Sequence, residues 1–343
     1  MSIPIQKMGM VWKLRNWCGG NPLAQVAEAQ RLGLARVSIK VTDGKVEKWE
    51  SGSRTNKDLL PATVLALQSA GIEVDAWAWM KGHATQWDWA RSRWVRCTPA
   101  DEALAAIEVC HRLHLGHLQA DAEGDYRGKG KAAWAEDWCQ AAASAGPEIV
   151  LSLCSYRFPL SNQPDFPVRT FAPYMDAWSP QVYFLGDNRL QGGAIQLEMS
   201  EREHDRVRLL PFIGVAPTYQ AAGPWRASPA QLTAFFRRAV ELGHAGVSVW
   251  ALDLATEAQK QALVDFTWGE QPAPGTDRWR VLAASNLRTG PGVSFPVIRL
   301  LPAGTIIDRL DFGGGVGGDW WRVQAGTDVG SMWAPPWKME SLP

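Results

Sequence analysis

Two carboxylates separated by one residue, Asp121 and Glu123 in the stretch LQADAEGD, are the side chains of this 343-residue chain best suited to do chemistry. Alternate residues of a strand point to the same side, so at a strand end the two would project together. Such a pair suits cleavage of a glycosidic bond. One carboxyl with a raised pKa protonates the leaving oxygen while the other orients or stabilises. The two-acid motif is short, and its weight depends on where the strand that carries it ends.

Other candidates stand at comparable places. Lys40 ends a β-rich run, where it would contact a substrate or pair with Asp121 or Glu123. Asp75 sits mid-run between Val74 and Ala76, either facing inward with a chemical role or outward against a helix. Trp77 and Trp79 share its face. Gln181 and Tyr183 alternate in SPQVYF, and Trp250 and Asp253 close GVSVWALD. The chain has 19 Trp against 5 Tyr, an excess that suits stacking on sugar rings. Trp87, Trp89 and Trp94 crowd HATQWDWARSRWVR, read as a loop that forms a binding lip. His111, His114 and His117 are spaced poorly for a metal and read as surface or capping residues. Neither a metal nor a cofactor is expected, and no Ser-His-Asp order, Walker loop or dinucleotide fingerprint is found. The five cysteines, all in the first half and without a CxxC pair, read as mostly reduced and buried.

The elements that must position these residues alternate in type. Short β-rich runs are followed by helical stretches eight times up to about residue 268. The strands are expected at 7–12, 36–41, 72–80, 117–121, 149–154, 177–184, 209–215 and 247–252. The helices are expected at 22–32, 56–70, 99–113, 129–145, near 194–207, 229–242 and 256–266, with only a short helical turn after the fifth strand. Asn21 reads as the first N-cap and Gly33 as its stop; Thr98 enters the third helix, with Glu102 in its first turn. Eight such units predict an α/β fold, a (β/α)8 TIM barrel, over 1–268. In that fold reactive groups stand at the C-terminal ends of strands, which is where Asp121 and Glu123 fall. Residues 269–276 read as a Pro/Gly-rich linker. Residues 277–343, with short β runs and Gly-rich turns, read as a small all-β barrel.

Charge narrows the partners. With 35 Lys and Arg against 35 Asp and Glu, the chain lacks the basic excess of a nucleic-acid or membrane-surface binder. No apolar run is long enough to span a bilayer. The N-terminal MSIPIQKMGMVWKLRNW reads as no signal peptide. That fits a cytoplasmic protein, one trimmed of its leader, or one exported by another route such as a phage-type lysin.

The motifs resemble known families. ARVSIKVTDG (35–44), GIEVDAWAWMKG (71–82) and LQADAEGD (118–125) resemble the second, third and fourth strands of family 25 lysozymes. The Asp that ends the first strand of that family is absent from Gly9-Met10-Val11-Trp12-Lys13. SPQVYF (179–184) and GVSVWALD (246–253) resemble the sixth and eighth strands of family 18 chitinase-like barrels. That resemblance implies Glu123 as the acid, Asp121 as the group that holds the substrate's acetamido group, and Tyr183 as a helper. The longer acidic motif of family 18 is not present, since Leu118, Gln119 and Ala120 precede Asp121. In the tail, Asn286–Pro291, Pro296–Ile298 and Leu301–Thr305 resemble a bacterial SH3-like domain, with looser matches at 319–323 and 330–334. The resemblances imply a monomeric cell-wall glycan hydrolase acting on a polysaccharide, peptidoglycan or another N-acetylhexosamine polymer. Lys40, Asp75, Trp77, Trp79, Gln181, Trp250 and Asp253 would bind substrate. The missing first-strand Asp leaves a silent carbohydrate-binding barrel as the alternative.

Overall fold

The computed structural model describes residues 6–47, 55–88, 92–221, 223–269, 278–289, 293–311, 320–325, 328–334 and 339–341. The chain divides into two compact units, Met1–Gly269 and Glu270–Pro343. The expected linker lies almost wholly outside the described residues.

The first unit is an α/β barrel. Its eight strands are β1 (Lys7–Val11), β2 (Arg36–Asp43), β3 (Glu73–Trp79), β4 (His117–Asp121), β5 (Val150–Cys154), β6 (Ala177–Trp178), β7 (Ile213–Pro217) and β8 (Gly246–Trp250). They pair in parallel in the order β7-β8-β1-β2-β3-β4-β5-β6. The circle is nearly closed: single bridges Trp178–Phe212 and Gln181–Val215 span from the β6 segment to β7. The helices between them are α1 (Pro22–Arg31), α2 (Thr55–Ser69), α3 (Pro99–Leu113), α4 (Lys131–Ala145), the one-turn α5 (Val168–Phe171), α6 (Gly192–Asp205), α7 (Pro229–Glu241) and α8 (Glu257–Val264).

Local chemistry explains these boundaries. Asn21 Oδ1 accepts from the N–H groups of Leu23 and Ala24, as its type at that position predicts. Thr98 closes a capping box, but its partner is Asp101. Glu102 instead turns inward and is buried. The sixth strand is much shorter than the expected 177–184. Pro180 has no N–H to give to a ladder, so the pairing breaks there into the two bridges. The tract after β3 is no loop. Ala84–Asp88 and Arg93–Cys97 pair as an antiparallel hairpin, which Gln86 ties to the turn after β2 by donating to the Asp43 carbonyl (2.9 Å).

Inside the barrel, every second residue contributes a rung. The lowest is polar. With its proton on Nδ1, His117 donates to Asp75 Oδ2 (2.7 Å), and its Nε2 accepts from Ser152 Oγ (2.8 Å). Arg36 donates to Asp75 Oδ1 (3.1 Å) and pairs with Glu73. Above it, Gln119 donates to Ser38 Oγ (2.9 Å). Higher still, Met10, Trp77, Cys154 and Val215 form an apolar layer, with Trp12, Trp79, Tyr183 and Trp250 packed on it. A separate, larger core lies between strands and helices.

The second unit is a seven-stranded antiparallel sheet: β9 (Arg278–Val281), β10 (Ser285–Arg288), β11 (Val297–Leu301), β12 (Ile306–Asp311), β13 (Trp320–Ala325), β14 (Asp328–Trp333) and β15 (Met339–Ser341), in the order β11-β10-β14-β13-β12-β9-β15. It has its own core of Val281, Leu287, Leu301, Ile307, Trp321, Val323 and Met332. Three of its strands, 285–288, 328–333 and 339–341, escape a reading by hydrophobic runs because polar and glycine residues fill them. The glycine run 313–318 lies outside the described residues.

Candidate active site

β4 ends at Asp121, and the chain continues through Ala122 to Glu123. Both neighbours hold this exit. Met80 N–H donates to the Asp121 carbonyl (3.0 Å), and Ala122 N–H donates to the Cys154 carbonyl (3.1 Å). Ser155 Oγ donates to the Ala122 carbonyl (2.6 Å). The two carboxylates are thereby fixed on one side, at the C-terminal mouth of the barrel. A single amide joins them: Gln181 Nε2 donates to Asp121 Oδ1 (2.8 Å) and to Glu123 Oε1 (2.7 Å). Gln181 is held by its own N–H on the Ser155 carbonyl (2.7 Å). The broken sixth strand therefore places the residue that bridges the pair.

The environments of the two acids differ. Asp121 is buried, while Glu123 is partly exposed. Burial pushes the Asp121 carboxyl well above the usual range; the Glu123 charge adds to the rise, and Lys40 opposes it. Tyr183 packs beside them. Burial, with Cys154, Asp121 and Glu123 around it, raises its phenol, so the hydroxyl stays protonated and able to donate. Cys154 is raised in the same way and stays a thiol.

The remaining sequence candidates fall into three groups. Trp79 and Trp250 are partly exposed at the mouth, and Trp77 is not. Trp77 is 2% exposed, donates Nε1–H to the Val11 carbonyl (3.1 Å) and meets Trp250 edge-on at 5.1 Å, so it is the layer beneath. Lys40 is buried too. Its ammonium pairs with Asp43 (2.6 Å) between the rings of Trp77 and Trp79, and its charge reaches Asp121.

Two candidates have their carboxylate oxygens engaged by the protein itself. Asp75 faces inward but lies four residues below Trp79, about 13 Å down the strand. Its oxygens are taken by Arg36 and His117. Asp253 accepts from the N–H groups of Trp12 (3.0 Å) and Lys13 (3.1 Å), so it latches the end of β1. Of the three histidines, His111 lies on the surface near Glu148 and His114 is the left-handed C-cap of α3. His117, read as surface, is buried in the lowest rung. That rung brings Ser152, His117 and Asp75 together as a hydroxyl-imidazole-carboxylate relay that chain order did not suggest. All three are at most 3% exposed, so no substrate reaches the hydroxyl.

Sequence reading missed Trp12, Cys154 and Tyr219 as neighbours of the site. Trp12 follows β1 and tilts against Trp250 at 6.3 Å. Tyr219 stands two residues past β7 and adds to the rise at Tyr183. Their place just beyond strand ends was the available signal. All five cysteines are free, and four are buried. No group of three or more His, Cys, Asp or Glu able to hold a metal occurs among the described residues. Among them, no helix is long and apolar enough to cross a membrane.

No protein-family model matches the sequence, and no curated protein matches it. Solved structures do match. Active domain 2 of a chitinase from Pyrococcus furiosus superposes with a TM-score of 0.55 at 13% identity, over 78% of this chain and 98% of that one. A putative chitinase A from Streptomyces coelicolor gives 0.52 at 12%, over 77% and 98%. The Bacillus megaterium QM B1551 spore cortex-lytic enzyme SleL gives 0.50 at 10%, over 76% and 74%. What these proteins share with the chain is the fold. The first unit is a TIM-like α/β barrel of the architecture those glycan-directed enzymes use.

Proposed function

We propose that the chain is a glycoside hydrolase that cuts a cell-wall glycan, with muramidase or N-acetylhexosaminidase-like activity. The observation that carries this reading is the pair Asp121 and Glu123 at the mouth of β4, bridged by one amide. Glu123 protonates the leaving oxygen as the glycosidic bond breaks, because it is the acid that a substrate reaches; the raised carboxyl of the pair, Asp121, is buried behind it and serves to orient. Asp121 and Tyr183 orient the substrate's acetamido group, whose oxygen attacks the anomeric carbon. Glu123, now a carboxylate, then takes a proton from the water that attacks the same carbon; the bond from that carbon to the acetamido oxygen breaks, which regenerates the acetamido group and leaves the sugar hydroxyl. The partly exposed Trp12, Trp79 and Trp250 supply apolar faces for sugar rings. The antiparallel second unit, with its SH3-like motifs, is proposed to hold the protein on the wall.

Release of reducing ends from purified peptidoglycan and from chitin oligosaccharides tests the reading. Glu123→Gln is expected to lower turnover by roughly 10²–10⁴-fold while binding persists, because an amide has no acidic proton to give. Equal turnover in both proteins would remove Glu123 from its role. No turnover in the wild type, with sedimentation onto the wall intact, would favour a silent binding barrel. The missing acid at Met10-Val11-Trp12 would then be the reason.

A further inference from the structure

Beside the acid pair, on the β3 side, aromatic rings and ammonium groups alternate. Trp79 is the ladder partner of Asp121. Lys81 Nζ lies 3.1 Å from the centre of the Trp79 ring. Gly82 follows at φ +67°, and a Cβ there would stand 2.3 Å from Trp134, so the glycine admits that ring against the backbone. Lys131 Nζ lies 2.8 Å from the centre of Trp134. The four side chains of this strip are half-buried and reach solvent.

The charges of the strip lack the partners that usually explain surface lysines. Among the described residues no carboxylate lies within ion-pair distance of Lys81 or Lys131. The acids nearby are otherwise engaged or more distant. Glu102 accepts from the Lys81 backbone N–H and from Tyr126 and is buried, and Asp125 acts on Lys131 only at longer range. Lys40 is spent on Asp43. A neutral polymer gains nothing from two ammonium groups that have no carboxylate partner. A glycan with carboxylates gains two charge-assisted contacts with ammonium groups that the rings already hold in position.

The geometry points to a substrate that carries carboxylate groups, bound with its acidic substituents on Lys81 and Lys131, which Trp79 and Trp134 hold in place from beneath. This rests on the hydrolase reading and narrows it to anionic glycans. The carboxylate has two sources, the sugar with its own acyl substituents or a peptide attached to it. Both offer the same chemistry.

The test compares three substrates: glycan strands bearing peptides, the same strands freed of peptide, and strands whose carboxyls have been reduced to alcohols. Wild-type kcat/KM is expected to be at least about tenfold higher on charged than on reduced strands, with the preference shrinking as salt rises. In Lys81→Met/Lys131→Met the ratio is expected to approach one, and Lys81→Arg to restore part of it. Retention of the preference on peptide-free strands assigns the carboxylate to the sugar; its loss there assigns it to the peptide. Equal cleavage of charged and reduced strands by the wild type would overturn the inference and leave the hydrolase reading standing. Absence of all cleavage would overturn that reading. Sedimentation of Glu123→Gln protein with each strand type then decides the inference separately: charge-dependent binding that the double lysine variant loses sustains it, and charge-blind binding or none ends it.

Discussion

At the scale of single residues, Glu102 carries a consequence for stability. Its side chain is 2% exposed and accepts from the Lys81 N–H (2.6 Å) and from Tyr126 Oη (3.0 Å). Burial outweighs these bonds and pushes its carboxyl up from 4.5 to about 7. The folded protein thus holds this proton more tightly than the unfolded chain. Its contribution is complete below about pH 4.5 and is lost as pH rises through 7. A rise of that size corresponds to about 3 kcal/mol. Glu102→Gln keeps an acceptor for Lys81 and offers N–H to Tyr126 without titrating. Urea unfolding at pH 5 and pH 8 is expected to show the variant gaining on the wild type by about 2.5 kcal/mol at the higher pH, since part of the contribution is already lost at pH 5. An unchanged difference between the two pH values would remove Glu102 as the source. The acid pair itself was legible in the sequence, because alternation along a strand needs only a spacing of two. Glu102 was not, since a glutamate in a first helical turn looks like a cap until the neighbouring strand end is seen to cover it.

The elements were legible where period and end signals agree. β4 was expected at 117–121 and forms there, and Asn21 and Gly33 bracket α1 as their types require. Legibility failed where one residue overrides its neighbours. Pro180 interrupts a run that otherwise reads as a full strand, and the 84–97 tract hides a hairpin behind its tryptophans. It failed also for the lowest rung, whose members come from β2, β3, β4 and β5 and have no common motif. That rung makes a prediction of its own. Asp75 is the one carboxylate between Arg36 and His117 inside the barrel, with Glu73 outside it at 60% side-chain exposure. Asp75→Ala would leave a buried guanidinium and an imidazole short of their acceptor, at a cost of about 3–5 kcal/mol. Chemical denaturation should show that loss, with turnover per folded molecule little changed because the rung lies a strand's length below the mouth. A loss of turnover at full stability would mean the rung reaches the site after all.

At the scale of the whole molecule, the two units have separate hydrophobic cores, one built from residues within 11–266 and one from residues within 281–339. A barrel with a core of that extent has no need of the tail to bury its apolar surface. Residues 1–269 produced alone are therefore expected to unfold in one cooperative transition, with a midpoint within roughly 4 °C of the barrel transition in the full chain. The proposed division of labour then separates cleanly. The shortened protein should cleave soluble glycan fragments as the full chain does. Its sedimentation with insoluble wall should fall, because the antiparallel unit proposed to hold the polymer is gone. Aggregation of the shortened chain, or a midpoint many degrees lower, would show instead that the second unit completes the first. Undiminished sedimentation would place wall binding in the barrel mouth itself, where the partly exposed tryptophans and the unpaired lysines already face solvent.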